Sequence, residues 1–464
     1  MKHGTKHGTM EINEKTPMIL LAGPIFAEML LNILLNNVDT IMISRYSENA
    51  VGAVGNANQM MSLFIIMFGV IAGATGVVVA QYLGAKETGD MNRIYTLSFS
   101  FNLVFGLLVS LFVFFCCGSL MDFLKVDALQ REDAVTYMRI VGGLLFLQAA
   151  YNVMVQILRC HGYTRVGMYI SLMVNLVNIV GNYIFLYGPL KHLELGVAGV
   201  AISTVTARVL ALTVSVVIFY RYRIGRMSLR LLRPFPKEIL VRLLKIGIPS
   251  AGENVAYSFY QLILLSFINP MGAMAVNAKV YCTTLMSFSV VFSNALAQAT
   301  QIVTGHLVGA GREEAADWRV MKTLRTSLPV AVSIAALNCL LCPFTLKLFT
   351  DNTEVVPLVQ QTLAVVVVME IGRTMNLVLI SSMKAAGDVL FPVLMGLVSM
   401  WGIGIGVGYG CGVWLSLGMT GVFLGTTADE CARAVVAFIR WRRGAWKGKA
   451  VVRAAKSQEI QAGN

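Results

Sequence analysis

Residues 24–53 read PIFAEMLLNILLNNVDTIMISRYSENAVGA, and 225 positions later residues 249–278 read PSAGENVAYSFYQLILLSFINPMGAMAVNA. At this register Pro24 falls on Pro249, Glu28 on Glu253, Ala50-Val51 on Ala275-Val276 and Ala53 on Ala278. The match runs on through Met61-Ser62 and Met286-Ser287, Ala74-Thr75 and Ala299-Thr300, and Gly84-Ala85 and Gly309-Ala310. That makes 14 identities in 62 positions without a gap. Further along, Gly162 meets Gly387 at the same offset. Apolar composition yields scattered chance matches, but not a paired Pro-x-x-x-Glu and a paired loop Gly-Ala at one fixed register. The chain is two copies of one unit.

The composition says what kind of unit it is. Of 464 residues, 56% are hydrophobic and 13% charged, with a mean hydropathy of +0.71. Soluble domains carry about a quarter charged residues, so a soluble enzyme or nucleic-acid module is excluded despite a net charge of +13. Only 11 prolines and little low-complexity sequence exclude a disordered chain. About 20 apolar residues cross a bilayer as a helix. Twelve such runs are read, near 18–43, 52–80, 95–117, 136–158, 166–187, 196–220, 243–268, 275–305, 326–346, 358–382, 390–411 and 418–440. Six runs per copy, an even number, give the copies the same orientation. The predicted fold is an all-α integral membrane protein of twelve transmembrane helices in two six-helix lobes, related by a pseudo-twofold axis along the membrane normal. Parallel repeats of this kind enclose a central cavity and rock about it, which is a transporter architecture. The expected organisation is an N-terminal tail over 1–15, a first lobe over 16–220, a basic linker over 221–242, a second lobe over 243–440 and a basic tail over 441–464.

Twelve spans put both ends on one side, so alternate linkers can be compared. The side holding the ends carries 27 Lys and Arg and the other side six. The positive-inside rule places both ends in the cytoplasm, and the basic tail is read as a topology signal in contact with anionic lipid. The polar opening residues followed by a full-length span do not resemble a cleaved signal. Eight cysteines, mostly within spans and without metal spacing, are read as buried thiols.

Charges inside spans are costly and face the bundle interior or a water-filled path. The first span carries Glu28, Asn32, Asn36 and Asp39 on one helical face, and the fifth repeats the device with Ser171, Asn175, Asn178 and Asn182. The sixth adds Ser203, Thr204 and Thr206. Asp39 is either a protonation or cation site or a carboxylate held by asparagines for packing alone. In the second half, Glu253, Tyr257, Tyr260 and Gln261 lie on neighbouring turns, and Glu370 and Arg373 are spaced to neutralise each other. Arg208, Lys279, Asp429, Glu430 and Arg433 are expected near helix ends or in pairs. Glu28, Glu253 and Glu370 are candidates for attracting cationic compounds. Met60, Met61, Tyr257, Tyr260 and Tyr281 are candidate cavity surface, with packing as the alternative. Pro24 and Pro249 each remove a backbone donor early in a span and permit a kink. The run GIGIGVGYG (402–410) is read as close helix packing, not a phosphate loop. The five histidines fall in tails or loops, and neither HExxH nor paired aspartates on facing helices are present. An enzyme is therefore not expected.

The segment NNVDTIMISRYSENAVGAVG (36–55), the LGA and VGAG loops after the second span of each half, and RCHGYTR and MKAAGD after the fourth resemble the multidrug and toxic compound extrusion (MATE) family. The resemblance covers about residues 15–440. It implies a V-shaped pair of six-helix lobes and secondary antiport, in which entry of H+ or Na+ drives export of small amphipathic, often cationic organic compounds. It implies a monomer in a bacterial cell membrane, with no cofactor and no nucleic-acid partner. By the same resemblance Asp39 matches the first-helix acid that couples to the ion, Asn178 the fifth-helix asparagine and Thr204 the sixth-helix hydroxyl. Asn182 stands where many relatives carry an aspartate, which favours H+ over a Na+ site at Asp39. Pro24 matches the proline at which the first helix bends in some relatives. The Na+-coupled NorM branch has acids where Tyr257 and Arg373 stand here, with Glu253 and Glu370 about one turn earlier. A lipid-linked oligosaccharide flippase of related architecture is the alternative, and it should show a markedly basic cavity.

Overall fold

The computed structural model describes residues 12–348, 350, 352 and 354–452. Most of the expected N-terminal tail and the last part of the basic tail lie outside the described residues. The chain forms α1 (Met18–Tyr46), α2 (Glu48–Ala85), α3 (Met91–Phe123), α4 (Ala128–Tyr137), α5 (Leu145–Cys160), α6 (Thr164–Leu186) and α7 (Gly196–Arg221). It continues as α8 (Lys237–Ile268), α9 (Ala273–Gly309), α10 (Glu313–Thr345), α11 (Val355–Ala385), α12 (Leu390–Val398), α13 (Ile405–Tyr409) and α14 (Gly418–Arg442). No strand occurs among the described residues.

Two of the twelve expected runs are broken helices. α4 and α5 are joined through a π-turn at Met138–Gly142 and bend by 45°. α12 and α13 are linked by a π-turn at Ser399–Gly404 and together span Leu390–Trp414. Among the described residues nine helical stretches are long and apolar enough to cross a bilayer, and ten with the bent pair. The remaining two, α8 and α14, fall short because polar and charged residues interrupt them, including Glu253, Asn254 and Gln261 on α8 and Asp429, Glu430 and Arg433 on α14. These are the residues that build the second site described below.

The chain divides into two compact units. One comprises Ala27–Val79 and Glu87–Gly247; the other comprises Asn13–Phe26, Ala80–Lys86 and the chain from Ile248 onward. The core of the first unit gathers Met61, Phe68, Val113, Met121, Tyr137, Met138 and Val141. Met60 belongs to this core as well, so Met60 and Met61 pack inside the unit and are not cavity surface. The second core gathers Tyr260, Leu264, Cys282, Met369 and Met400, with Tyr281 packed against it. Tyr260 is fully buried there, again core and not cavity surface. All eight cysteines are free thiols.

Glycines allow the closest helix approaches. A Cβ added at Gly425 of α14 would collide with the backbone of Gly404 and Gly408, inside the GIGIGVGYG run. That run is a helix-packing surface. His306 lies in the last turn of α9, one turn further into the helix than the sequence reading placed it.

The described part of the basic tail packs against its own unit. Trp446 stacks on Trp441 at 4.2 Å between ring centroids, and both are buried. The Trp441 indole donates to Asp317 at 2.8 Å, while Arg440 and Lys449 both pair with Asp388 at 2.7 Å. Gln81 donates to the Ala385 carbonyl at 2.6 Å and accepts from the Val451 and Val452 amides at 2.7 and 3.2 Å. The described part of the tail is therefore folded against the ends of α2, α10 and α11.

Candidate functional site: a polar cluster and a charged cavity

The first unit gathers one face each of α1, α6 and α7. The Asn182 amide donates to the Asp39 carboxylate. It also donates to Asn178 Oδ1 at 3.3 Å, the Asn178 amide donates to Thr204 Oγ1 at 3.0 Å, and Ser203 donates to the Asn178 carbonyl at 2.9 Å. Residues 178 and 182 are one helical turn apart, and so are 200 and 204, where Thr204 returns its own hydrogen to the Val200 carbonyl at 3.0 Å. The result is a chain of hydrogen bonds from Asp39 on α1 through α6 to α7. The side-chain oxygen of Asn182 is buried with no hydrogen-bond partner among the described residues.

A second polar layer lies nearer the start of α1. Ser171 and the Asn175 amide both donate to Asn32 Oδ1, at 2.7 and 2.8 Å. Asn36 stays apart from both layers. Its side chain is exposed and makes no side-chain hydrogen bond among the described residues, while its backbone carbonyl accepts from Thr40 at 3.0 Å. Tyr137, which the residue spacing gave no reason to single out, is buried beside Thr204, Asn58, Arg208 and Asp39. It sits at the end of α4, just before the π-turn, and a break of that kind is not written in hydrophobic periodicity. Arg208 lies in the middle of α7, not at its end, and its Nη1 is buried without a hydrogen-bond partner among the described residues.

In the second unit, α8, α9, α11 and α14 surround a cavity of about 630 Å³. Helices α8 and α9 each contribute one face: Glu253, Tyr257, Gln261 and Leu264 from α8, spaced by three or four, and Lys279, Thr283 and Ser287 from α9, spaced by four, with Met286 beside them. Its charges are heavily paired. Arg373 donates to Glu370 at 2.6 Å and lies 3.7 Å from Glu430; Arg433 meets Asp429 at 2.6 Å and Glu430 at 3.2 Å. Asn376 donates to Glu430 at 2.8 Å. The expected Glu370–Arg373 pair is thus part of a six-residue network, five of them charged.

Glu28 and Glu253 also have partners that the sequence reading missed. Arg159 at the end of α5 holds Glu28 at 2.8 Å, and Lys384 at the end of α11 holds Glu253 at 2.6 Å. The signal was available: Arg159 plus the repeat offset of 225 is Lys384. The same offset carries Arg208 onto Arg433. Three of the acids considered as attractors of cations are therefore each engaged by a basic side chain. Asp39 is not, among the described residues. Pro24 and Pro249 lie inside α1 and α8, one turn before Glu28 and Glu253.

Two repeats of a helical membrane unit, each burying polar groups within its own helices, define a membrane transporter of repeat type. A family model named MatE matches the chain twice, over residues 24–184 and 249–410, the two copies found by internal register. The chain belongs to the MatE family of multidrug efflux transporters. It is 37% identical over 426 residues to the transporter YisQ of Bacillus subtilis (strain 168), covering 92% of this chain and 94% of that one. It is 29% identical to the multidrug resistance protein NorM of Vibrio cholerae, covering 91% of this chain and 94% of the relative. Its fold matches that of a MOP superfamily transporter from Pyrococcus furiosus with a TM-score of 0.85 at 22% identity, over 94% of this chain and 99% of the other.

Proposed function

We propose that this chain is a secondary active exporter of small amphipathic organic compounds in the bacterial cell membrane, both ends cytoplasmic, driven by inward movement of H+ through Asp39. The observation that carries this reading is the contrast between Asp39 and the other acids. Glu28, Glu253, Glu370, Asp429 and Glu430 are all bound to Arg or Lys. Among the described residues, Asp39 is held only by an asparagine amide. A carboxylate tied to a fixed cation gains little from a proton. One held by a neutral amide can take a proton and give it up again.

Protonation removes the charge that the Asn182 amide solvates. The Asn182–Asn178–Thr204 chain then rearranges, and α1 shifts against α6. A proton drives export only to the extent that it binds the outward-open and inward-open states differently. One carboxylate with Asn182 beside it offers a single negative charge, which suits H+ better than Na+. For the alternative, a lipid-linked oligosaccharide flippase, the lining of the second cavity carries four basic side chains against two acids, but Arg373, Lys384 and Arg433 are each held by a carboxylate. Among the described residues that leaves one unpaired base where a pyrophosphate group requires a basic surface.

The test is efflux of a fluorescent amphipathic compound from proteoliposomes under an imposed H+ or Na+ gradient. Wild-type protein is expected to respond to H+, and Asp39→Asn to lose gradient-driven transport while still binding substrate. Full gradient-driven transport by correctly inserted Asp39→Asn would overturn the role of Asp39. Efflux indifferent to collapse of both gradients would overturn antiport.

A further inference from the structure

The charges that face the second cavity are not all accounted for by one another. Glu253 is held by Lys384, and Glu430 by Arg433 and Arg373. The remaining acids of the cluster, Glu370 and Asp429, bond to the same two arginines. Lys279 stands outside this network. It lines the cavity from α9, half-buried, and among the described residues no carboxylate lies within ion-pair distance of its ammonium. The cavity-facing residues that follow it on α9, Thr283 and Ser287, carry hydroxyls whose hydrogens go to carbonyls of their own helix, at 2.9 and 2.6 Å. Those hydroxyls offer lone pairs, not countercharge.

An ammonium in a span without a carboxylate is a costly charge, which an anionic group entering the cavity would offset. A cation entering the same cavity meets only carboxylates that already hold a guanidinium or an ammonium. At about 630 Å³ the cavity has the size of a site for a drug-sized molecule. Tyr257, Met286, Met369, Met400 and Phe423 supply it with aromatic and deformable apolar surface.

We propose that the cavity of the second unit binds compounds that carry an anionic oxygen group, carboxylate or phosphate, on an apolar body, and that Lys279 is the residue that takes this group. The proposal deepens the exporter reading by naming a substrate class for the second unit. It does not depend on which ion drives transport.

The experiment uses the full-length protein in detergent micelles, with no gradient. Binding of dansyl-phenylalanine and of its methyl ester is followed by dansyl fluorescence. The wild type is expected to bind the carboxylate about tenfold more tightly than the ester. Lys279→Gln should abolish that preference with ester binding unchanged, which also shows that the variant is folded, and Lys279→Arg should restore it. Equal affinities in the wild type, or a preference that survives in Lys279→Gln, would overturn the proposal. Two sources of the anionic group are separated by competition with dihexanoyl phosphatidylglycerol and the uncharged dihexanoylglycerol. Displacement by the first alone supports the site with a lipid headgroup as ligand, and displacement by neither supports a free carboxylate. Displacement by both means apolar competition and overturns the charge recognition. Because binding is read without a gradient, failure of Asp39 as the coupling acid and failure of Lys279 as the anion site give separate signatures.

Discussion

Arg159 holds both carboxylate oxygens of Glu28 at 2.8 Å, joining the end of α5 to the first third of α1. One repeat later Lys384 and Glu253 make the same link at 2.6 Å, and both pairs are 131 residues apart in sequence. The two halves have diverged at most positions, yet each keeps one acid one turn after its proline and one base at the end of the partner helix. Each pair ties down the helix just beyond the point where proline removes a backbone hydrogen bond.

Removing one partner strands a buried charge. Arg159→Ala and Lys384→Ala are each expected to destabilise the protein by about 3 kcal/mol or more. The double replacement Glu28→Gln with Arg159→Gln should lose less than Arg159→Ala alone, because no charge is left unpaired. Unfolding in mixed micelles, with a double-mutant cycle across the pair, measures both.

Asn182→Asp should change ion preference. A second carboxylate against Asp39, with the Asn178 and Thr204 oxygens beside it, supplies the charge that a single acid does not provide for Na+. Efflux in this variant is expected to become stimulated by an inward Na+ gradient to which the wild type is indifferent. Proteoliposomes with matched H+ and Na+ gradients read the difference directly.

Gly84 and Gly309 are one repeat apart, and each lies against a backbone carbonyl, of His306 and Gln81 respectively. Those two contacted residues are themselves related by the offset of 225. The neighbours are main chain and cannot swing aside, so Gly84→Val or Gly309→Val must separate the ends of α2 and α9. Each is expected to cost about 1–3 kcal/mol or to abolish folding. Thermal stability and size-exclusion profiles of the purified variants check this.

Trp446→Ala removes a buried ring that stacks on Trp441, and a loss of about 3–5 kcal/mol is expected. Gln81→Ala withdraws the acceptor of the Val451 and Val452 amides and the donor to Ala385. It should release the tail while leaving the Trp stack in place. Limited proteolysis beyond Lys449 would then accelerate in Gln81→Ala relative to the wild type.

Much of this protein was legible from composition and register alone. A bilayer leaves a backbone polar group no partner but its own helix, so a sufficiently long apolar run becomes a spanning helix whatever its neighbours do. The repeat at 225 then gave the number of lobes, and the hydrophilic faces of the first, fifth and sixth runs placed Asp39, Asn178, Asn182 and Thr204 in a larger polar set, from which the family resemblance singled them out. Helical spacing put these four on facing helix sides because all lie on regular stretches of helix, but it also included Asn36, which stays apart. It did not suffice for Tyr137, which reaches the cluster through a π-turn.

What only the tertiary structure decided is which charges meet. A lone acid in a span reads the same from sequence whether it faces a guanidinium, an asparagine or an open cavity, because the partner sits on another helix at a distance in sequence that no local periodicity encodes. Glu28 and Asp39 share one face of α1, yet among the described residues one is bound to Arg159 and the other only to Asn182. Met60 and Tyr260 read as cavity surface by residue type and turned out to be core. Lys279, grouped in sequence with Arg433 as a charge to be paired, is the one left facing the second cavity without an acid among the described residues.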